Sequence, residues 1–172
     1  MEMAGGGWRD GQGEDGGGLI GPNPTDRGKA GTKRSILVEG DGGPLSAVGA
    51  GANVNDFKLL RATIEQTVVE RPRSKQHLCL DKGYDNPVGR RETIDHGYVP
   101  HIRRIGEEKL DLKGRKNRKA RRWVVERTLA WMSKCRTILV RYEKKAANYL
   151  GLVHLDCMLL WFRRYYTLAI LR

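Results

Sequence analysis

Two acidic residues stand in contrasting surroundings. Asp81 closes the short apolar run Leu78-Cys79-Leu80 and opens the turn Lys82-Gly83-Tyr84-Asp85, whereas Glu126 sits in a strongly basic stretch with helical spacing, Arg118 to Ser133. A carboxylate at a strand end facing a second one on a helix can hold a divalent cation. With basic residues around it, the natural substrate of such a pair is a phosphodiester backbone, because metal ions there activate a nucleophile and stabilise the leaving oxygen. A plainer reading stands beside this one. Arg122 lies one turn before Glu126, and an exposed i,i+4 ion pair, worth about 0.3 kcal/mol, would use the same spacing. Asp41 reads most simply as a turn residue and Asp56 as a helix cap.

The charge balance points the same way. The 172 residues carry a formal net charge of +12, which implies a polyanionic partner or surface. Its distribution matters more than its size. Residues 103–145 hold 16 of the 32 Lys and Arg residues against five acidic ones, so half the positive charge occupies a quarter of the chain. A scattered excess would read as a solvated surface; clustering favours nucleic acid. A basic RNA-binding protein fits less well, for no aromatic strand motif or RNA module is present.

Cys79, Cys135 and Cys157 are odd in number, widely spaced and set in apolar stretches, which argues against a disulfide framework and for a reducing cytoplasm. His77 precedes Cys79 and His154 precedes Cys157, but neither forms a paired zinc-ligand pattern, so both read as packing or surface groups. The amino end lacks the basic segment and apolar core of a signal peptide.

The elements that must position these residues follow from periodicity. Ser35 to Glu39 and Leu45 to Gly51 read as strands joined by the hairpin turn Gly40-Asp41-Gly42-Gly43. Phe57, Leu60, Ile64 and Val68 recur at helical spacing, His77 to Leu80 forms a strand, and Pro87 starts a helix that runs to about His96. A short strand follows at Tyr98 to Ile102. Gly106 to Lys119 has few apolar residues and reads as a loop that DNA would order. Trp123, Val125, Leu129 and Met132 mark a buried face of the next helix. The last helix runs from Ala146 to Tyr166, with Leu152, Leu155, Leu159 and Phe162 as its core stripe, Trp161, Phe162, Tyr165 and Tyr166 as packing residues, and 167–172 as a tail. Its interruption by His154, Asp156, Arg163 and Arg164 argues against a membrane span.

The amino end departs from this pattern. Met1 to Gly18 contains eight glycines and almost no apolar residues, so it cannot bury enough surface to offset the entropy of ordering and is expected to be disordered. A turn-rich link, Gly21-Pro22-Asn23-Pro24-Thr25-Asp26-Arg27-Gly28, leads into the foldable region.

Several of these strings together resemble a known family. Leu80-Asp81-Lys82-Gly83-Tyr84-Asp85 and Arg121-Arg122-Trp123-Val124-Val125-Glu126-Arg127 are similar to the signatures of DDE transposases from bacterial insertion sequences, in the insertion sequence four and five superfamily. Gly21 to Lys29 and Arg141 to Leu152 resemble the same family, so the likeness spans Leu19 to Arg164. It implies an α/β fold of the ribonuclease-H-like type, a mixed sheet flanked by helices, making one catalytic domain over 19–166. It also implies two aspartates and a glutamate holding two Mg2+ ions, with Asp81 as the second acidic residue and Glu126 as the third. The implied chemistry is cleavage at the element end by an activated water, followed by attack of the freed 3′ hydroxyl on target DNA. Arg122, with the family's Arg-x-x-x-Glu spacing, would contact the phosphate backbone, as would Arg115, Lys116, Arg118, Lys119 and Arg121. Lys134 lies one place beyond the family's usual basic position, which Ser133 occupies. The implied partner is double-stranded DNA, with no membrane, in the cytoplasm with the nucleoid, and the complete enzyme would act as a homo-oligomer that pairs two ends.

The first aspartate of that pattern is not where the family places it. Members carry it about fourteen residues before the Gly-Pro-Asn-Pro element, and counting back from Gly21 reaches Gly7. Asp10 and Asp15 lie nearby, but in the glycine tract. Moving the reading frame one nucleotide later through Asp10 to Gly18 permits Met-Gly-Lys-Ala-Arg-Met-Gly-Gly-Asp, and the same shift at Gly7 permits an aspartate. Residues up to Gly18 are therefore expected to be read out of frame, and the catalytic set to be incomplete, with cleavage lost. The family's amino-terminal DNA-binding segment is also expected to be absent. A non-catalytic nucleic-acid-binding remnant is the alternative that this leaves open.

Overall fold

A computed structural model describes residues 2–4, 18–102 and 122–170. Its longest strands, β3 (Ala30–Val38) and β4 (Pro44–Gly51), form an antiparallel hairpin. The turn between them closes on Glu39, whose carboxylate accepts from the backbone N–H of Asp41 and Gly43, each at 2.9 Å. Gly42 adopts φ 96°, a left-handed conformation that favours glycine.

β3 starts at Ala30, earlier than apolar alternation indicates, because polar residues at its start are buried by individual partners. Thr32 donates to the Leu19 carbonyl (2.9 Å), the Lys33 ammonium to the Val54 carbonyl (2.8 Å) and the Arg34 guanidinium to the Ile138 carbonyl (3.1 Å). Hydrogen bonding removes the cost of burying these groups, so they enter the core despite their polarity.

The sheet continues from this hairpin through β1 (Glu2–Ala4), β5 (Gln76–Leu80) and β6 (Tyr98–Ile102), giving the spatial order β4, β3, β1, β5, β6. β1 runs antiparallel to β3 and parallel to β5, which is itself parallel to β6. Composition predicts disorder across 1–18, yet Glu2, Met3 and Ala4 occupy the centre of the sheet opposite Val38, Leu37 and Ile36. Main-chain pairing between two strands does not depend on the local side-chain entropy balance from which disorder was argued. The remainder of that tract, 5–17, lies outside the described residues. The Gly-Pro-Asn-Pro link is likewise ordered: β2 (Gly21–Pro22) pairs with the start of β3, and buried Asn23 accepts from Thr25 N–H and hydroxyl, both at 2.9 Å.

Helices α1 (Asp56–Glu65) and α2 (Pro87–Asp95) lie on the same side of the chain's core, where Leu37, Leu60, Ile64, Leu78, Leu80, Tyr84 and Tyr98 form one cluster. Asp56 is not the cap expected of it. Asn55 takes that place without a side-chain bond, and the Asp56 carboxylate instead meets the buried Lys33 ammonium at 2.9 Å. α2 begins with Pro87 at its first turn, after Asn86, whose side chain accepts from Gly89 N–H at 2.8 Å.

Helices α3 (Arg122–Met132), α4 (Arg136–Leu139) and α5 (Ala146–Ile170) supply the second cluster, in which Val124, Val125, Met132, Ile138, Tyr149 and Val153 meet Ile36, Val38 and Ala47. Two expectations fail here. Trp123 is 47% exposed, and on α5 the buried positions are Tyr149, Val153 and Asp156, while Leu155, Leu159 and Phe162 of the expected stripe are exposed. Trp161, Tyr165 and Tyr166 are exposed as well. α5 is apolar around most of its circumference, so periodicity could not choose the inner face. Among the described residues no helix is long and apolar enough to cross a membrane.

Asp156 gives the fold a pH dependence. Burial pushes its carboxyl above the usual range, opposed by the charges of Arg34 and Arg163. A raised folded-state pKa contributes stability below the unfolded value, which is lost as pH rises through the folded one. Asp156→Asn should therefore melt above wild type at neutral pH, with the gap closing in acid, as thermal denaturation across pH would record.

Candidate catalytic and DNA-binding site

Leu78 and Leu80 of β5 point into the core, so by strand alternation His77, Cys79 and Asp81 fall on the opposite face. Asp81 follows the last residue of β5 and caps the 3-10 turn Lys82–Tyr84, its Oδ1 accepting from Lys82 N–H at 2.7 Å. That turn is anchored by Tyr84, fully buried in the core. Burial pushes the Tyr84 phenol well above its ordinary pKa, and the negative charges of Asp56 and Asp81 add to the shift. Gly89 closes the motif from behind: a Cβ there would lie 2.6 Å from the Tyr84 carbonyl oxygen. Asp85 pairs with Arg90 at 2.6 Å, which ties the turn to α2. The string Asp-Lys-Gly-Tyr-Asp is thus a device for holding Asp81 at the strand end.

β1 runs beside β5 with Glu2 level with Cys79. α3 packs against β1 and β3, and Glu126 is exposed on it while Val124, Val125 and Thr128 are buried. The helix is fixed at the hairpin turn, where the Thr128 hydroxyl donates to the Gly42 carbonyl at 2.7 Å. Arg127 donates to the Asp41 carbonyl, and its guanidinium lies 4.5 Å from the Trp123 ring and 4.8 Å from the Trp131 ring. Arg164 of α5 reaches the same turn, pairing with Glu39 and, at 3.1 Å, with Asp41. Asp41 is therefore a turn residue, as its setting predicts, and also an ion-pair partner.

The sequence-nominated cations divide sharply. Arg115, Lys116, Arg118, Lys119 and Arg121 lie outside the described residues, and Arg122 is described only as the first residue of α3. Lys134 is exposed just beyond that helix. Arg141 contributes to the basic count but faces inward: its guanidinium donates to Thr32 (2.9 Å), to the Gly18 carbonyl (2.9 Å) and to the Glu143 carbonyl (2.8 Å). Among the described residues no group of three or more His, Cys, Asp or Glu side chains is gathered as a metal centre. Sequence reasoning missed the strand at Glu2–Ala4 and the meeting of His77 with His101, since both depend on strand register, which local pattern does not carry.

Comparisons with known proteins fit this arrangement. The family model described as "Transposase DDE domain" matches residues 9–162, from within the glycine tract to α5. A Burkholderia cepacia protein named as a transposase for insertion sequence element IS402 is 36% identical over 149 residues, covering 81% of this chain and 67% of its own length. No solved structure gives a significant match. The family match covers Asp81 and Glu126 together with the strands and helix that carry them, and on that ground the chain belongs to the transposase DDE domain family.

Proposed function

We propose that the chain is the catalytic domain of an insertion-sequence transposase, of ribonuclease-H-like fold, that binds duplex DNA but lacks one of its three acidic residues. The observation that carries this is the shared placement of Asp81 and Glu126 around β1: one at the end of its parallel neighbour, the other on the helix packed over it. The order β4, β3, β1, β5, β6, with β3 antiparallel and β5 and β6 parallel to the centre, supports the fold assignment. Asp81 and Glu126 are hard oxygen donors of the kind Mg2+ prefers. They make two of three ligands. Among the described residues no group of three such side chains is gathered, so these residues do not fit a two-metal centre. Bound metal would activate the attacking oxygen in the complete enzyme. β5 and α3 hold the two carboxylates, and the basic residues of 103–145 supply the charge that phosphates would meet.

On this reading the amino-terminal tract is out of frame, and the complete protein is a cytoplasmic, nucleoid-associated homo-oligomer that uses Mg2+ for strand cleavage and transfer. DNA binding by residues 103–145 should release counterions, so affinity for duplex DNA should fall steeply with salt and depend little on sequence. Charge reversal at Arg115, Lys116 and Arg118 should flatten the slope of log affinity against log salt by about 3. A filter-binding or anisotropy titration at several salt concentrations measures it, and an unchanged slope would place DNA elsewhere.

A further inference from the structure

We propose that His77 and His101 form a two-imidazole site for a borderline transition-metal cation, bridging β5 and β6. The two strands are parallel neighbours, with His77 level with Val99 and His101 level with Cys79. Both histidines are exposed on the face opposite the Leu78 and Leu80 core. His77 Nδ1 lies 2.6 Å from His101 Nε2, with ring centroids 4.8 Å apart and an interplanar angle of 41°. For two ring nitrogens to approach so closely, one must donate a proton into the lone pair of the other. Two imidazole nitrogens thus point at one spot between the strands.

A cation that replaces the shared proton sits to one side of the line joining the nitrogens and takes both lone pairs once each ring turns toward it. Imidazole nitrogen binds Zn2+ at about 2.0–2.1 Å, so coordination requires the nitrogens to part only by about half an ångström to one ångström. Exposed rings move that far by small χ rotations, while the strand ladder holds their backbones in place. Imidazole favours Zn2+, Ni2+ and Cu2+ over Mg2+, which takes oxygen ligands, and water would complete the coordination shell. The site lies on the same sheet face as Asp81 but uses other residues and another class of metal, so it stands independently of the transposase reading. Once bound, the cation ties β5, which leads into Asp81, to β6.

The test is titration of the full chain with Cu2+ in excess Mg2+, read by electron paramagnetic resonance and by thermal melting. One equivalent should give nitrogen hyperfine structure from two imidazoles, and saturation at about 100 times Kd should raise Tm by about 5–10 °C. His77→Asn and His101→Asn should each weaken binding by about 30-fold or more, because the second ligand no longer benefits from an intramolecular effective concentration. Both variants replace exposed side chains, and their circular dichroism should match wild type. Cys79→Ser and Asp81→Asn should bind as wild type does. Unchanged affinity in either histidine variant, or loss confined to Cys79→Ser or Asp81→Asn, would overturn the proposal.

Discussion

In a protein whose upstream frame has been restored, Asp81→Ala or Glu126→Ala should reduce Mg2+-dependent nicking at element ends by about 10³-fold or more, on the order of 4 kcal/mol of barrier. On the proposed reading each substitution removes an oxygen ligand, leaving attacking and leaving oxygens poorly stabilised. DNA affinity should hardly change, since loss of a carboxylate from a basic surface does not weaken attraction to phosphate. On the proposed reading the chain as given should also show negligible cleavage, because Asp81 and Glu126 are only two of the three acidic residues required. A nicking assay on end-containing DNA beside a binding assay separates these outcomes. Full activity in either variant would show that other residues hold the metal. Activity in the unrepaired chain would mean that Glu2, Asp10 or Asp15 supplies the third ligand.

Arg141→Ala should destabilise the fold by about 3–5 kcal/mol, a fall in Tm of about 10 °C or more. The side chain is buried, with its guanidinium 5.1 Å from the Tyr149 ring, and burial lowers its pKa from the usual arginine value. It joins the Thr32 hydroxyl of β3 to the carbonyls of Gly18, Glu143 and Lys144, drawing three separate stretches of chain together. Removing it takes a donor from the buried Thr32 hydroxyl, at a cost of about 1–3 kcal/mol, and releases three partly buried carbonyls at once. Arg141→Lys should recover little, because an ammonium cannot span the planar fork of contacts. Urea denaturation followed by circular dichroism measures both. A melting point within a degree or two of wild type for Arg141→Ala would show that these contacts form without holding the fold. Lys134→Ala, at an exposed position, should leave stability within about 0.5 kcal/mol of wild type.

The contrast between Arg141 and Lys134 shows where local sequence stops being informative. Both fall in the same basic stretch, and a charge count treats them alike; tertiary packing turns one inward against β3 and leaves the other outside. Lys33 and Arg34 are hidden in the same way, because carbonyl oxygens contributed by Val54 and Ile138 meet them inside the protein.

By itself the sequence determined the elements whose signals are local: the turn at Glu39–Gly43, the Pro87 helix start after Asn86, the strand Tyr98–Ile102, and the strings around Asp81 and Glu126 that mark the family. These depend on residues within a few positions of one another, where periodicity and turn chemistry act. Only the tertiary structure decided that Glu2–Ala4 fills the central strand, that α3 carries Glu126 over it, that α5 turns Tyr149, Val153 and Asp156 inward, and that His77 meets His101. Each of those outcomes is set by register or by the choice of one helix face among several apolar ones. Such choices are made by the sum of long-range contacts, whose energies belong to pairs of distant residues and not to any local run of the chain.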